Sequence, residues 1–468
     1  MLRLTFIWIY ITSVNFLFGQ SAMTLQDCIQ RAEEVAIDLQ RAELNISRLD
    51  LEAESIAAAG LPVLGFNARS GLQNGRSIDP TTNAFSDQQL LFSTYNMQAE
   101  WLIYRGGRIK QEALRFNDLQ LAQAAELAVS KRQLRLEVIF SYLSVQQSHS
   151  TLELNKQNLE NIRSQLAQLE QLIDGGVKRP NDRLELDLRL NAGVRDSILA
   201  ENDHNRQLNQ LRSLLQWPHD QDLLLVEMDN TELYPALNRS ISSGALLAEL
   251  EQSDPGLKAA EARLRAADRQ EEVVKADRRP ELSLFAILAT NHSSTAQRIE
   301  GVVNAMATQQ VFLGGQATTL EVAQQLPVFG ADPYFNQLRN NFSQTVGVNL
   351  RFNILDAGRN RRDRQSAQLE QREAQLAQSQ YRLELQDQLL RQIAELEDAR
   401  TNYFASEQQI ENLQASLQAA EQSYDAGGLS TFDLVRVQAA LDEAKLQANL
   451  ALYDCIFRYE LIMTLLEN

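Results

Sequence analysis

The residues that could do chemistry in this chain are few and scattered. Its 468 residues hold four histidines (His149, His204, His219, His292) and two cysteines (Cys28, Cys455). None is spaced from another as metal ligands are, and no nucleophile-elbow, phosphate-loop or zinc-protease pattern occurs. The expectation is no catalysis, no cofactor and no metal, with the histidines serving as surface or packing residues. Both cysteines lie in apolar, helix-like sequence, which reads as packing and not as a disulfide framework.

What recurs instead is a double glycine followed by an acid. Gly175-Gly176 precedes Asp182, and Gly427-Gly428 precedes Asp433. Glycines end one helix and an acid in the first turn complements the dipole of the next, so each stretch reads as a helix-turn-helix tip. Glu185, three residues after Asp182, strengthens the capping account there.

These tips belong to a duplicated chain. Asp38-Leu39-Gln40-Arg41-Ala42-Glu43 matches Gly256-Leu257-Lys258-Ala259-Ala260-Glu261, and Leu61-Pro62 matches Arg279-Pro280, at an offset of 218. Farther on, Gly107-Arg108 matches Gly358-Arg359, Gly176 matches Gly427 and Asp182 matches Asp433, at an offset of 251. The second copy therefore carries 33 extra residues between Pro280 and Gly358, read as a longer loop spanning 290–343. The expected first repeat is 21–238 and the second 239–468.

Each copy holds one long helix, 108–173 or 358–424, with a heptad seam. The seams are Val138, Val145, Leu152, Leu159, Leu166 and Ile173, then Leu389, Leu396, Tyr403, Ile410, Leu417 and Tyr424. At 1.5 Å per residue such a helix reaches about 100 Å, a length that suits spanning and not catalysis. Shorter helices are expected near 24–60 and 183–216, and again near 245–279 and 433–467, with tips at 174–182 and 425–433.

Between short and long helices the period changes to two. Strands are expected near 62–72, 91–105, 281–289 and 344–354, each with one apolar and one polar face. Such ribbons suit a barrel with lipid outside and water inside, and four cannot close one, so the chain must pool strands with copies of itself. Trp101 and Tyr104, at the end of their strand, are the membrane-interface candidates. Gly106-Gly107 and Ala357-Gly358 mark where strand turns into helix.

Residues 1–20 read as a secretory signal, with Arg3, a mostly apolar stretch and the small-residue exit Gly19-Gln20-Ser21-Ala22. Cys28 comes too late for an N-terminal lipid anchor, and none is expected. After the leader no apolar run approaches the roughly 18 residues of a membrane helix, so any spanning must be by closed strands. The net charge is −17, and loss of Arg3 takes it to −18. Nucleic acid is not an expected partner. If this charge lined a channel, the lumen would favour cations. Arg105, Arg108 and Lys110, with Arg359, Arg361, Arg362 and Arg364, cluster just inside the inferred membrane edge and read as a solvated face, with contact to lipid phosphates as the alternative.

The order strand, loop, strand, long helix, short helix, given twice, resembles the TolC-like outer membrane efflux protein family. The carriers are Thr24-Leu25-Gln26-Asp27-Cys28-Ile29, Leu61-Pro62 and the loop Gly75-Arg76-Ser77-Ile78-Asp79-Pro80-Thr81-Thr82-Asn83. Others are Trp101-Leu102-Ile103-Tyr104-Arg105-Gly106-Gly107-Arg108, its echo Phe352-Asn353-Ile354-Leu355-Asp356-Ala357-Gly358-Arg359, and Tyr424-Asp425-Ala426-Gly427-Gly428-Leu429-Ser430-Thr431-Phe432-Asp433-Leu434.

The resemblance implies a mainly α fold with membrane β-strands. Duplicated coiled-coil helices would form a periplasmic α-barrel, and four strands per chain would enter a shared twelve-stranded outer-membrane β-barrel in a homotrimer. It also implies a passive exit duct, in the outer membrane and reaching into the periplasm, that works with a periplasmic adaptor protein and an inner-membrane transporter in efflux or type I secretion. Asp433, Tyr424, Asp182 and Arg436 would line the periplasmic aperture, and Gly175, Gly176, Gly427, Gly428, Leu429 and Ser430 would form the tip turns that meet the adaptor. Leu429 and Arg436 depart from the best-known pattern of the mouth. The competing readings are a soluble periplasmic or secreted coiled-coil scaffold and, with a poorer match to the paired copies and strands, a periplasmic adaptor.

Overall fold

The computed structural model describes residues 22–78, 83, 85–86, 89–218, 220–227, 235–238 and 242–466. The leader read over 1–20, His219 and residues 79–82 of the first loop lie outside the described residues. The first half runs α1 (Leu25–Val35), α2 (Ile37–Ala58), β1 (Val63–Gln73), β2 (Ser77–Ile78), β3 (Phe85–Ser86), β4 (Leu90–Arg105), α3 (Arg108–Asp174) and α4 (Asp182–Leu214). The second runs α5 (Ser243–Ser253), α6 (Pro255–Ala276), β5 (Glu281–Ser293), β6 (Gln297–Leu313), β7 (Gln316–Ala331), α7 (Tyr334–Asn340), β8 (Ser343–Arg351), α8 (Arg359–Asp425) and α9 (Thr431–Leu466).

Local chemistry accounts for these limits. The long helices α3 and α8 each run 67 residues without one glycine or proline, and each stops at a double glycine. At the first stop Gly176 N donates to Ile173 O at 2.9 Å and Val177 N to Leu172 O at 2.8 Å. At the second, Gly427 N donates to Tyr424 O at 3.0 Å and Gly428 N to Ser423 O at 2.8 Å. Both stops are Schellman closures built on a positive φ, +76° at Gly176 and +78° at Gly427. Helix α1 starts on a capping box between Thr24 and Asp27.

The short helices are not continuous as the sequence suggested. The 24–60 stretch breaks at Ala36 (ψ 114°) and the 245–279 stretch at Asp254 (ψ 122°), positions 218 residues apart. Pro255 explains the second break, because it disfavours helical backbone at the residue before it.

The chain forms two compact units. The first, drawn from 1–48, 119–264 and 374–468, is helical over its described residues. Its core gathers Cys28, Tyr142, Leu211, Leu250, Ile456 and Ile462 with the seam residues Val138, Val145, Leu389 and Leu396. The remaining seam positions near the helix ends, Leu166, Ile173, Leu417 and Tyr424 among them, are only half-buried. Both cysteines are free and buried, and burial pushes the Cys28 thiol up to about 12. The break at Asp254 is tied into this unit. Its carboxylate is buried, accepts from Arg132 Nη1 at 2.7 Å and caps Leu257 N at 2.7 Å.

The second unit, residues 49–118 and 265–373, holds an antiparallel four-stranded sheet in the order β1-β4-β5-β8. The segment 290–343, read as a loop, is structured: β5 continues to Ser293, β6 and β7 form a long antiparallel ribbon, and α7 follows. Sixteen residues separate β1 from β4, against 49 between β5 and β8, so the ribbon accounts for the 33-residue excess. The sequence does not mark its strands, because apolar residues fall on both faces, Val302 beside Val303 and Val311 beside Phe312, and because Pro327 argues against a strand. Phe352 and Ile354, read as the end of the last strand, lie beyond β8, since its partner β5 begins at Glu281 opposite Arg351.

Candidate functional site

The sheet sorts its side chains by register. Leu64, Phe66, Tyr95, Met97, Trp101, Leu284, Leu288, Val346, Val348 and Leu350 share one face, fixed by pairs such as Phe66 with Met97, Trp101 with Leu284 and Leu284 with Val348. A bulge between Leu102 and Tyr104 keeps Tyr104 on this face, opposite Leu282. The other face carries Asn67, Arg69, Thr94, Asn96, Gln98, Glu100, Asn349 and Arg351. Its two phenylalanines lie over glycines across the strand, Phe92 over Gly71 and Phe285 over Gly347.

Most of the apolar face is open. Phe66 is 65% exposed and Val346 79% exposed in the isolated chain. Among the described residues the edge strands β1 and β8 each have a single neighbour. Trp101 and Tyr104 stand at one end of the apolar face, and Trp101 Nε1 donates to Gly60 O at 2.9 Å.

Beside the strand ends, much of the basic cluster is taken up by carboxylates. Arg105 lies 3.1 Å from Glu281, Arg108 2.5 Å from Asp277 and 2.8 Å from Glu112, and Arg364 3.0 Å from Glu271. These pairs leave fewer positive charges for lipid phosphate than the sequence offered. At Gly106 (φ +62°) a Cβ would collide with the carbonyl of Ala276, so the strand-to-helix turn there requires glycine.

In the first unit the ends of α3 and α8 meet the starts of α4 and α9. A cavity of about 540 Å³ lies among them, lined by Leu169, Leu186, Arg189, Tyr424, Val435 and Asp442. Asp433 N donates to Ser430 Oγ at 3.2 Å, and Ser430 Oγ donates to Asp433 Oδ2 at 2.7 Å, so the acid helps cap α9. Arg436 stands 3.8 Å from Asp433. Asp182 likewise accepts from Arg179 N at 3.2 Å. Tyr424 has its hydroxyl 3.4 Å from Thr431 Oγ1.

Three features of this unit were not foreseen. Lys178 Nζ sits 3.7 Å above the Tyr424 ring, a cation–π contact across the tip. Arg189 on α4 donates to Val435 O at 3.3 Å, Gln438 Oε1 at 2.9 Å and Asp442 Oδ2 at 2.6 Å, all on α9. Elsewhere, neighbouring helices bring His149 and His204 together with ring centroids 5.3 Å apart, although they are unrelated in sequence spacing. Among the described residues no cluster of three or more His, Cys, Asp or Glu side chains could hold a metal.

The Arg189–Asp442 pair sits where burial dominates. Burial raises the Asp442 carboxyl above the usual carboxylate range, against the lowering pull of Arg189. The sign follows: the folded state takes up this proton before the unfolded state does. This group therefore adds stability as pH falls from its folded value toward the ordinary value, and withdraws it as pH rises. Asp442→Asn is expected to flatten that dependence in thermal melts from pH 7 to pH 4 and to leave the neutral-pH melting point nearly unchanged. A loss of several degrees at pH 7 would show instead that the ionised pair is net stabilising.

Residues 246–466 match the model of a family described as outer membrane efflux protein. No curated protein matches the chain. Among solved structures, the fold is similar to the outer membrane protein VceC of Vibrio cholerae (14% identity, TM-score 0.72, covering 94% of this chain and 95% of that one). It is also similar to the open-state MtrE outer membrane channel of Neisseria gonorrhoeae (16% identity, TM-score 0.70, 94% and 88%). A third is the CmeC outer membrane channel of Campylobacter jejuni (13% identity, TM-score 0.70, 94% and 85%).

Proposed function

We propose, because residues 246–466 match the outer membrane efflux protein family and the fold is TolC-like throughout, that the chain is a member of that family and the exit duct of a tripartite efflux or type I secretion system. It is an outer-membrane channel protein and not an enzyme. In this reading three copies join edge to edge, β8 of one against β1 of the next, and close twelve strands into one barrel. The helices form the periplasmic α-barrel of the same trimer. A periplasmic adaptor meets the tip turns at Gly175-Gly176 and Gly427-Gly428-Leu429-Ser430, and an inner-membrane transporter supplies the energy.

One observation carries this reading: a four-stranded sheet whose apolar face is uncovered except at the end where α7 lies, and whose two edges are free among the described residues. A soluble protein would bury that face or blunt those edges. In a closed barrel the same face meets lipid and both edges vanish. Asn67, Asn96, Gln98 and Glu100 then face water inside.

The test is reconstitution of the purified mature chain into a planar bilayer. Discrete conductance steps and a heat-modifiable trimer on a gel are expected. A soluble periplasmic monomer without conductance would overturn the proposal in favour of a coiled-coil scaffold.

We place the periplasmic aperture at Tyr424, Asp182, Asp433 and Arg436. Three copies of Asp433, each only partly occupied by Ser430 and Arg436, concentrate negative charge at a narrow mouth. Asp433→Ala is expected to change unitary conductance and weaken block by divalent cations. Since Ser430 still caps α9 through its own hydroxyl, the fold should survive. Identical traces with and without the substitution would remove Asp433 from the aperture.

A further inference from the structure

We propose that α7 (Tyr334–Asn340) is an outer-leaflet anchor that seats Phe335 and Phe342 in the lipid at the far end of the sheet from Trp101 and Tyr104. The inference rests on the reading of the apolar sheet face as the lipid-facing one.

The geometry begins with what holds α7. Gln337 is buried and grips the end of β5: Ser293 N donates to its Oε1 at 2.9 Å, and its Nε2 donates to Ser293 O at 3.0 Å and to Asp332 O at 2.7 Å. The helix lies on one particular side of the sheet. Its contacts are Tyr95, whose hydroxyl is 2.6 Å from that of Tyr334, Thr290, whose Oγ1 donates to Leu338 O at 2.7 Å, and His292, whose ring packs 4.6 Å from Tyr334. Register puts Tyr95, Thr290 and His292 all on the apolar face.

What α7 turns outward is unlike a solvated helix. Phe335 is 82% exposed, and Phe342 just beyond the helix is 49% exposed. Arg339 is exposed, with no carboxylate partner among the described residues. Two outward aromatics beside one free cation match the boundary where acyl chains meet anionic headgroups.

The spacing agrees. Ser93, level with His292, and Tyr104 are ten ladder positions apart once the bulge is allowed for. At about 3.4 Å per residue and a tilt of about 40°, that is roughly 25 Å of height, the apolar band of an outer-membrane barrel. The α7 aromatics thus fall at the opposite boundary from Trp101 and Tyr104, and the β6–β7 ribbon begins beyond it.

The test uses nitroxide labels on single introduced cysteines in the full-length trimer, reconstituted in vesicles of phosphatidylcholine and phosphatidylglycerol. The wild-type chain, whose two cysteines are buried, sets the labelling background. Labels replace Phe335, Val348 on the apolar face and Met306 on the ribbon. Relaxation by oxygen exceeding relaxation by a water-soluble nickel chelate at both 335 and 348, with the reverse at 306, is the expected result. A label at 335 that behaves like the one at 306, while 348 stays in lipid, overturns the anchor and leaves the duct standing. If 348 is also in water, the lipid-facing reading of the sheet fails and the anchor fails with it.

Discussion

Val346→Arg is expected to abolish the trimer, whereas Thr345→Arg, one residue away, should leave it assembled. Both positions are exposed in the isolated chain, so burial within one protomer predicts no difference between them. The pleat separates them. Val346 pairs with Ala286 near the middle of the apolar face, and Thr345 pairs with Ile287 on the other. An arginine at the bilayer midplane of a barrel costs about 2–4 kcal/mol per copy, and little on the water-filled side. In a trimer the penalty is taken three times. The readout is the heat-modifiable band on a gel and the fraction recovered in the outer membrane, and Thr345→Arg should alter conductance only. Equal assembly of the two variants would contradict the lipid-facing assignment, because a soluble sheet tolerates arginine on either exposed face.

Asp254→Ala is expected to produce the largest loss of stability in the helical unit. It removes the buried acceptor of Arg132 and the cap of Leu257 N, and strands a guanidinium whose side chain is only 12% exposed. Breaking one side of a buried pair costs about 3–5 kcal/mol. Tyr381 belongs to the same cluster, its hydroxyl pushed up to about 12 by burial first and the Asp254 charge second. Asp254→Asn keeps one of the two acceptors, enough to serve either Arg132 or Leu257 N, and should lose less. The double change Arg132→Leu with Asp254→Ala should recover part of the deficit. Thermal melts by circular dichroism check the series, and an alanine variant within about 1 kcal/mol of wild type would mean that the pair contributes no net stability.

Much of this architecture was legible because it rests on short-range periodicity. Heptads without glycine or proline can only propagate as helix, and the double glycines that end α3 and α8 announce their Schellman closures. The alternation from Tyr95 to Ile103 announced β4 in the same way, and the duplicate spacing placed its counterpart on β8. The ribbon was not legible, because Val302-Val303 and Val311-Phe312 spread apolar side chains over both faces and erase the period of two.

The site divides along the same line. Tyr424, Asp182 and Asp433 stood out through their place beside repeated glycines. Arg189 and Asp442, 253 residues apart, carried no such mark, nor did Lys178 over Tyr424 or His149 beside His204. Nothing local foretells which helix a side chain will meet.

The amino-acid order alone announced the two long helices, where they stop, the four amphipathic strands of the sheet and the duplicate spacing of the motifs. Those properties follow from backbone propensity, capping and pattern within a few residues. Tertiary structure decided the strand register that separates the apolar from the polar face, the seating of α7 on the apolar one and the cross-helix contacts at the tips. These are pairings between segments tens to hundreds of residues apart, and packing selects them among many that the local pattern permits.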